Sequence, residues 1–236
     1  TSGQVKIEAM IDAVPNIRKL ANLRGEQTAN VGSQDMSVKV WLDLANRINE
    51  LLKSKDVDGI VVTHGTDTQE ETAYFLNLVV KSDKPVVLTG SMRPSTALSA
   101  DGPLNMYNAV ALAANPNAKG YGVMVVMNDD IHAARDVKKM YSTPVHTFQS
   151  PQEGLIGTVI FGEVLFFHKP SGRHTTNSEF SVDGLKSLPR VDIVYGCADM
   201  SSDLIDIMVK AGAKGIVIAG VGDGNMNAGT LEAVKR

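Results

Sequence analysis

Short apolar runs alternate with amphipathic stretches along most of this chain, and polar, glycine-containing segments mark the changes between them. The continuous β-branched run at 60–62 predicts a strand buried on both faces of a parallel sheet, and the apolar spacing over 72–80 predicts a helix packed on it. Further strands are predicted at 85–89, within GVMVVMND and, more briefly, at 27–31. An amphipathic helix is predicted where Trp41, Leu44, Ala45, Ile48, Leu51 and Leu52 share a face, with the tryptophan as core. Another enters through Pro103, which suits a first-turn position, and buries Leu104, Tyr107, Val110, Ala111 and Ala114. Residues 7–23 read as helix broken or restarted at Pro15, whose ring removes a backbone donor. This alternation predicts an α/β fold with a mainly parallel, doubly wound sheet.

From about residue 145 the pattern changes to short alternating strands in TPVHTF and GTVIFGEVLFF, with a hairpin turn near Gly162, and the parallel winding is expected to end there. Residues 168–188 show little periodicity and read as an interdomain linker. A smaller α/β domain follows, with strands at 191–195 and 215–219 around a helix at 203–211 and another helix starting near Thr230. The predicted organisation is therefore an N-terminal domain over 1–167, a linker over 168–188 and a C-terminal domain over 189–236. A strand, a helix, a strand and part of a helix do not easily close a core. The second domain is therefore expected to be incomplete in this sequence or completed by another chain.

Bulk properties narrow the partners. With 236 residues the chain accommodates a sizeable core, and a net charge of -3 with 5% aromatic residues supplies neither a basic stripe nor a stacking platform for nucleic acid. No window has the apolar length to span a bilayer, so no membrane partner is expected and the chain reads as soluble. The single cysteine, Cys197, excludes an internal disulfide. A small molecule or another protein chain is the expected partner.

Four polar segments follow predicted strands: GSQD at 32–35, THGTD at 63–67, TGSMRP at 89–94 and NDDIHAARDVKK at 128–139. Ligands of open parallel sheets bind beyond the carboxyl ends of the strands, so these segments can converge. Together they offer the hydroxyls of Ser33, Thr66 and Ser91, the carboxylate of Asp67, the amide of Gln34 and the amine of Lys139. A hydroxyl becomes a nucleophile or proton relay when a neighbouring base shares its proton, and a desolvated lysine beside a carboxylate can be that base. The set suggests hydroxyl chemistry at a carbonyl and recognition of a zwitterion. The competing reading is that Thr66, Asp67 or Thr68 caps the following helix. Elsewhere, AGVGDGN resembles a dinucleotide loop but has Asn225 where GxGxxG needs its third glycine. The histidines at 64, 132, 146, 168 and 174 lack ligand spacing, and adjacent Asp129 and Asp130 are expected to point apart; no metal is predicted. Arg135 and Asp136 are expected to form an internal ion pair shaping the loop that carries Lys139.

The strings GSQDM, VVTHGTDTQEETAYFLNL, GSMRPSTALSADGPLNMYNAV, VMNDDIHAARDVKK and AGVGDGN, in this order and spacing, resemble bacterial type II L-asparaginases and glutaminase-asparaginases over nearly the whole chain. The resemblance implies an amidohydrolase in which a threonine attacks the side-chain amide of L-asparagine, or L-glutamine, releases ammonia and leaves an acyl-enzyme for water to hydrolyse. It implies no cofactor. Thr66, Asp67 and Lys139 match the family's proton-transfer group, Ser33 and Gln34 match residues holding the α-carboxylate and amino group, and Ser91 takes the small position beside the reacting amide. Asn225 matches a residue that reaches a neighbouring subunit's site in a homotetramer, and a periplasmic or secreted location is implied. The family's primary threonine and its lid tyrosine are expected ahead of Thr1, and an acidic residue supplied across the dimer is expected beyond Arg236. Asp223 stands where the family commonly has asparagine, and an extra carboxylate there, when buried, shifts local proton affinities. The alternative is a non-catalytic amino-acid binding protein using the same pocket.

Overall fold

A computed structural model describes residues 6–236, which fall into two compact units divided between Leu185 and Lys186. In the first unit, α1 (Ile7–Asp12) gives way to a separate 3-10 turn at Pro15–Lys19, as the break at Pro15 predicts. The strand expected at 27–31 does not form. Most of those residues are exposed, and Gln27 satisfies local backbone instead, accepting from Ile7 N at 3.3 Å and donating to Ala29 O at 2.5 Å. A segment with no apolar face to bury and a side chain competing for its amides has little reason to join a ladder.

Helix α2 (Val38–Leu52) starts at Ser37, whose hydroxyl accepts from Val40 N, and buries Leu42, Ala45, Ile48 and Leu52. Trp41, Leu44 and Leu51 sit half-buried at the margin of that stripe, and Trp41 stacks on Phe75 with ring centroids 5.2 Å apart. Then β1 (Ile60–Thr63), α3 (Gln69–Val79), β2 (Val86–Thr89), α4 (Gly102–Ala114) and β3 (Val123–Met127) follow in turn. The three strands pair in parallel, β1 with β2 and β2 with β3. All of β2 and β3 is buried, whereas every residue of β1 is only half-buried, contrary to the expectation from its β-branched run. Among the described residues β1 ends the sheet and has a strand neighbour on one side alone.

At Asn128 and Asp129 both φ angles are positive, 52° and 69°, and the chain reverses in a two-residue turn into β4 (Asp130–Ala133), antiparallel to β3. Asparagine and aspartate tolerate that left-handed geometry, which matches strand twist. Antiparallel pairing thus begins here rather than near residue 145, and 128–139 is not one loop. β5 (Lys138–Lys139) and β6 (Phe148–Gln149) form a small two-stranded side sheet, so TPVHTF contributes only its end to a strand. β7 (Gly157–Ile160) and β8 (Glu163–Phe166) form the hairpin expected near Gly162, completing a six-stranded sheet in the order β1-β2-β3-β4-β7-β8.

One face of that sheet, with Val87, Met124, Val126, Ile131, Ala133 and Val159, packs on Ala109 and Leu112 of α4. Alternation along β3 sends Val123 and Val125 to the other face, where α3 lies and Asn77 Oδ1 accepts from Val123 N at 3.0 Å. Of the positions expected on the buried side of α4, Val110 and Ala111 are buried; Tyr107 is half-buried, and Leu104 and Ala114 are exposed. The helix touches β1, β2, β3, β7 and β8, so burial wraps most of its length, including polar Asn105 and Asn108. Residues 168–185 belong to the first unit: Lys81 Nζ donates to Ser178 O at 2.9 Å, and Thr175 and Val182 are buried.

The second unit pairs β9 (Val191–Tyr195) in parallel with β10 (Gly215–Ala219). Helices α5 (Asp203–Lys210) and α6 (Ala228–Lys235) accompany them, and Val194, Ile205 and Ala233 form a small core with Ile216 and Ile218 packed against it.

Candidate active site

The turn leaving β1 is laced to the 3-10 turn at Ser33–Asp35. Ser33 is buried; its hydroxyl accepts from Asp67 N at 3.1 Å, and its carbonyl accepts from the Thr68 hydroxyl at 2.7 Å. Glycine is required between them, because a Cβ on Gly65 would lie 2.5 Å from Ser33 Oγ. Thr68 occupies the N-cap of α3 but makes no side-chain capping bond. The side chains of Thr66 and Asp67 meet Lys139 instead.

Lys139 Nζ donates to Thr66 Oγ1 at 3.0 Å and to Asp67 Oδ1 at 2.7 Å. The lysine side chain is 16% exposed and the aspartate 58%, so the cluster opens to solvent on the carboxylate side. An ion pair that accessible adds little to stability. Its chemical capacity is larger: one amine holds a hydroxyl and a carboxylate together, and its neutral form can take the hydroxyl proton.

The end of β2 abuts this turn. A Cβ on Gly90 would fall 2.4 Å from His64 O and 3.4 Å from Thr66 Cγ2, so only glycine permits the approach, and the exposed Ser91 follows directly. Its loop is pinned by Asp101, whose carboxylate accepts from Met92 N at 2.8 Å and Arg93 N at 2.9 Å. Buried Asn105 ties strand ends together, donating to Gly90 O and accepting from Asn128 N, each at 3.0 Å.

His64 is a packed histidine. Trp41 Nε1 donates to Thr72 Oγ1 at 2.8 Å, leaving the threonine hydroxyl to donate to His64 Nε2 at 2.9 Å, so Nδ1 carries the proton given to Gly65 O at 2.6 Å. Burial holds its pKa below the ordinary histidine value. His132 is likewise buried, with Nδ1 2.9 Å from Ser150 Oγ, and desolvation lowers its pKa to about 4.

Ser33, Thr66, Asp67 and Lys139 are thus brought together, with Ser91 on the adjoining strand end. Gln34 is exposed and its amide donates to Asp35 at 3.1 Å rather than to any of these four. Asn225 lies in the second unit, in a tight turn where Val221 and Asn225 exchange backbone hydrogen bonds; Asp223 in that turn is exposed. Arg135 and Asp136 do not pair: Asp136 accepts from Gln152 N and Glu153 N, and Arg135 Nη1 reaches Tyr74 Oη at 3.4 Å. Asp129 accepts from Asn108 Nδ2 at 2.7 Å while Asp130 faces His146 at 3.7 Å, so the adjacent carboxylates do point apart. Burial raises the Asp130 pKa. Among the described residues no group of His, Cys, Asp or Glu is arranged to hold a metal.

One contact at the site was not legible in the pattern of polar segments. Glu70 Oε2 accepts from Lys139 N at 2.5 Å across 69 residues of sequence. Acidic residues in a first helical turn are common enough that Glu70 and Glu71 carry no distinguishing signal.

A threonine and a carboxylate just beyond a parallel strand, met by a lysine from a small antiparallel side sheet, define an α/β protein with a hydroxyl–amine–carboxylate cluster. The chain belongs to the asparaginase family: residues 1–172 match the family model "Asparaginase, N-terminal" and residues 190–236 match "Glutaminase/Asparaginase C-terminal domain". It is 56% identical over 226 residues to "L-asparaginase 2" of Bacillus subtilis, covering 96% of this chain and 60% of that protein. It is 49% identical to "Probable L-asparaginase periplasmic" of Haemophilus influenzae, covering 100% of this chain and 67% of that one. The solved "Probable Cytoplasmic L-asparaginase" from Campylobacter jejuni superposes with a TM-score of 0.96 at 50% identity, over 99% of this chain and 71% of its own. The chain thus spans about two thirds of the length of these relatives.

Proposed function

We propose that this protein hydrolyses the side-chain amide of L-asparagine, and of L-glutamine, to the acid and ammonia through a threonine acyl-enzyme. The observation that carries the reading is the placement of Lys139 Nζ within hydrogen-bond distance of both Thr66 Oγ1 and Asp67 Oδ1. The names of the relatives support it. In this reading the first attacking hydroxyl belongs to the family threonine outside these 236 residues. Thr66 and Lys139 move the proton that the hydroxyl loses and the departing ammonia gains, and Asp67 faces the substrate ammonium. Ser33, Gln34 and Ser91 hold the α-carboxylate, the amino group and the surroundings of the amide.

The same reading assigns a homotetramer whose sites lie at subunit interfaces, with Asn225 reaching a neighbour's site; sedimentation of the complete protein tests the assembly. A periplasmic or secreted location is part of the proposal, and fractionation of the producing cells tests it. Among the described residues no helix is long and apolar enough to cross a membrane. For the activity, the test is ammonia release from L-asparagine and L-glutamine by the complete protein. Stoichiometric aspartate binding without turnover would falsify it.

A further inference from the structure

Lys139 reaches the site from a weak support. Its strand, β5, has two residues and, among the described residues, pairs with β6 alone, apart from the main sheet. Along an antiparallel pair, hydrogen-bonded and non-hydrogen-bonded positions alternate. Met140 N donates to Thr147 O at 2.9 Å, so the neighbouring pair Lys139–Phe148 is of the second kind, and the Lys139 N–H points away from β6. Glu70 meets it there at 2.5 Å.

Glu70 stands on the first turn of α3, directly after the segment that carries Thr66 and Asp67. Tyr74, one helical turn later, receives Arg135, so residues four apart on one face of α3 meet residues four apart on the 135–139 segment. The tyrosine contact is long, at 3.4 Å, and exposed. The charged acceptor is the stronger rung.

We propose that Glu70 is the positioning residue for Lys139: its carboxylate fixes the lysine backbone to the helix that presents Thr66 and Asp67, and so sets the distance of the amine from the hydroxyl. This inference rests on the proposed amide hydrolysis for its kinetic consequence only. Among the described residues the Glu70 carboxylate bonds the Lys139 amide and not the Thr66 hydroxyl. It acts through geometry, so an uncharged acceptor of the same length serves nearly as well. Misplacement of a catalytic group by about 1 Å costs on the order of 100-fold in rate.

The test compares Glu70→Ala and Glu70→Gln in the complete protein, by steady-state kinetics on L-asparagine and by hydrogen exchange at the Lys139 amide. The expected result for Glu70→Ala is a kcat lowered roughly 10- to 100-fold with KM within about twofold, together with loss of Lys139 amide protection. Glu70→Gln, whose amide oxygen still accepts the N–H, is expected to keep more than about half of kcat and the protection. Thermal denaturation of both variants separates this from unfolding. A Glu70→Ala protein with unchanged kcat, or a Glu70→Gln protein as impaired as Glu70→Ala, overturns the inference. A wild-type protein that releases no ammonia overturns the proposed hydrolysis, while the exchange measurement still decides whether Glu70 holds Lys139.

Discussion

The two sides of the Thr66–Asp67–Lys139 cluster are built differently. Thr66 and Asp67 sit where β1 runs into α3, locked by Ser33 beneath and by Gly90 alongside, with two close approaches that only glycine allows. Lys139 comes from a two-residue strand on a side sheet, tied across by the Glu70 carboxylate. The first side is built onto a strand of the main sheet; the second comes from a separate side sheet. The contrast teaches that disturbing the first should cost stability together with function, whereas disturbing the second should cost function first.

The largest effect is expected on the docked side. Lys139→Met should lower kcat by about 100-fold or more, the usual scale for losing a general acid–base group, with a melting temperature close to wild type. Its ion pair is too exposed to matter much for folding. A large fall in melting temperature would erase the distinction between the two sides.

Acid should loosen the docked side next. His132 on β4 meets Ser150, the residue after β6, and so links the main sheet to the side sheet. Its folded pKa, about 4, lies below the ordinary histidine value of 6.5. The unfolded chain therefore takes up the proton first as pH falls, so the stabilisation is complete above pH 6.5 and is lost towards pH 4. It amounts to about 3 kcal/mol at most for such a shift. Urea unfolding at pH 7 and pH 4.5 should show the loss in wild type and a smaller loss in His132→Gln; equal losses would remove His132 from the account.

On the embedded side, Asp101→Ala should cost roughly 2 kcal/mol, because two backbone amides lose a charged acceptor. It should also raise KM through the loop that carries Ser91. Denaturant midpoints and steady-state kinetics on the same preparation check both. The smallest effect is expected from Tyr74→Phe, which removes only a long, exposed contact and should change stability by less than about 0.5 kcal/mol. If Tyr74→Phe lowered kcat as much as Glu70→Ala, the 135–139 segment would be held by a whole helix face rather than by one carboxylate.

The embedded side was largely legible in the chain. A β-branched run, then THGTDT, then a helical pattern locates Thr66 and Asp67 at a strand end, because burial on a sheet and the onset of a helix each leave a periodic trace. The docked side was legible in residue type but not in geometry. A polar run after a strand points to Lys139, yet that run contains a tight turn, a buried antiparallel strand and half of a side sheet. Asn128 and Asp129 carried the signal for the turn, since both tolerate positive φ. Glu70 left no trace, because its role depends on a hydrogen bond between residues 69 apart, which no local pattern encodes. The half-burial of β1 escapes composition for a related reason: composition reports that a strand suits burial, not how many strands flank it.

In the proposed mechanism Thr66 and Lys139 act as one proton-moving unit. The direct measurement is a double-mutant cycle on ammonia release from L-asparagine by the complete protein, with Thr66→Val, Lys139→Met and the pair combined. Groups that work as a unit lose their contribution once. The double variant is therefore predicted to be no slower, within about threefold, than the slower single variant. Losses that multiply, or single variants that turn over like wild type, would contradict it.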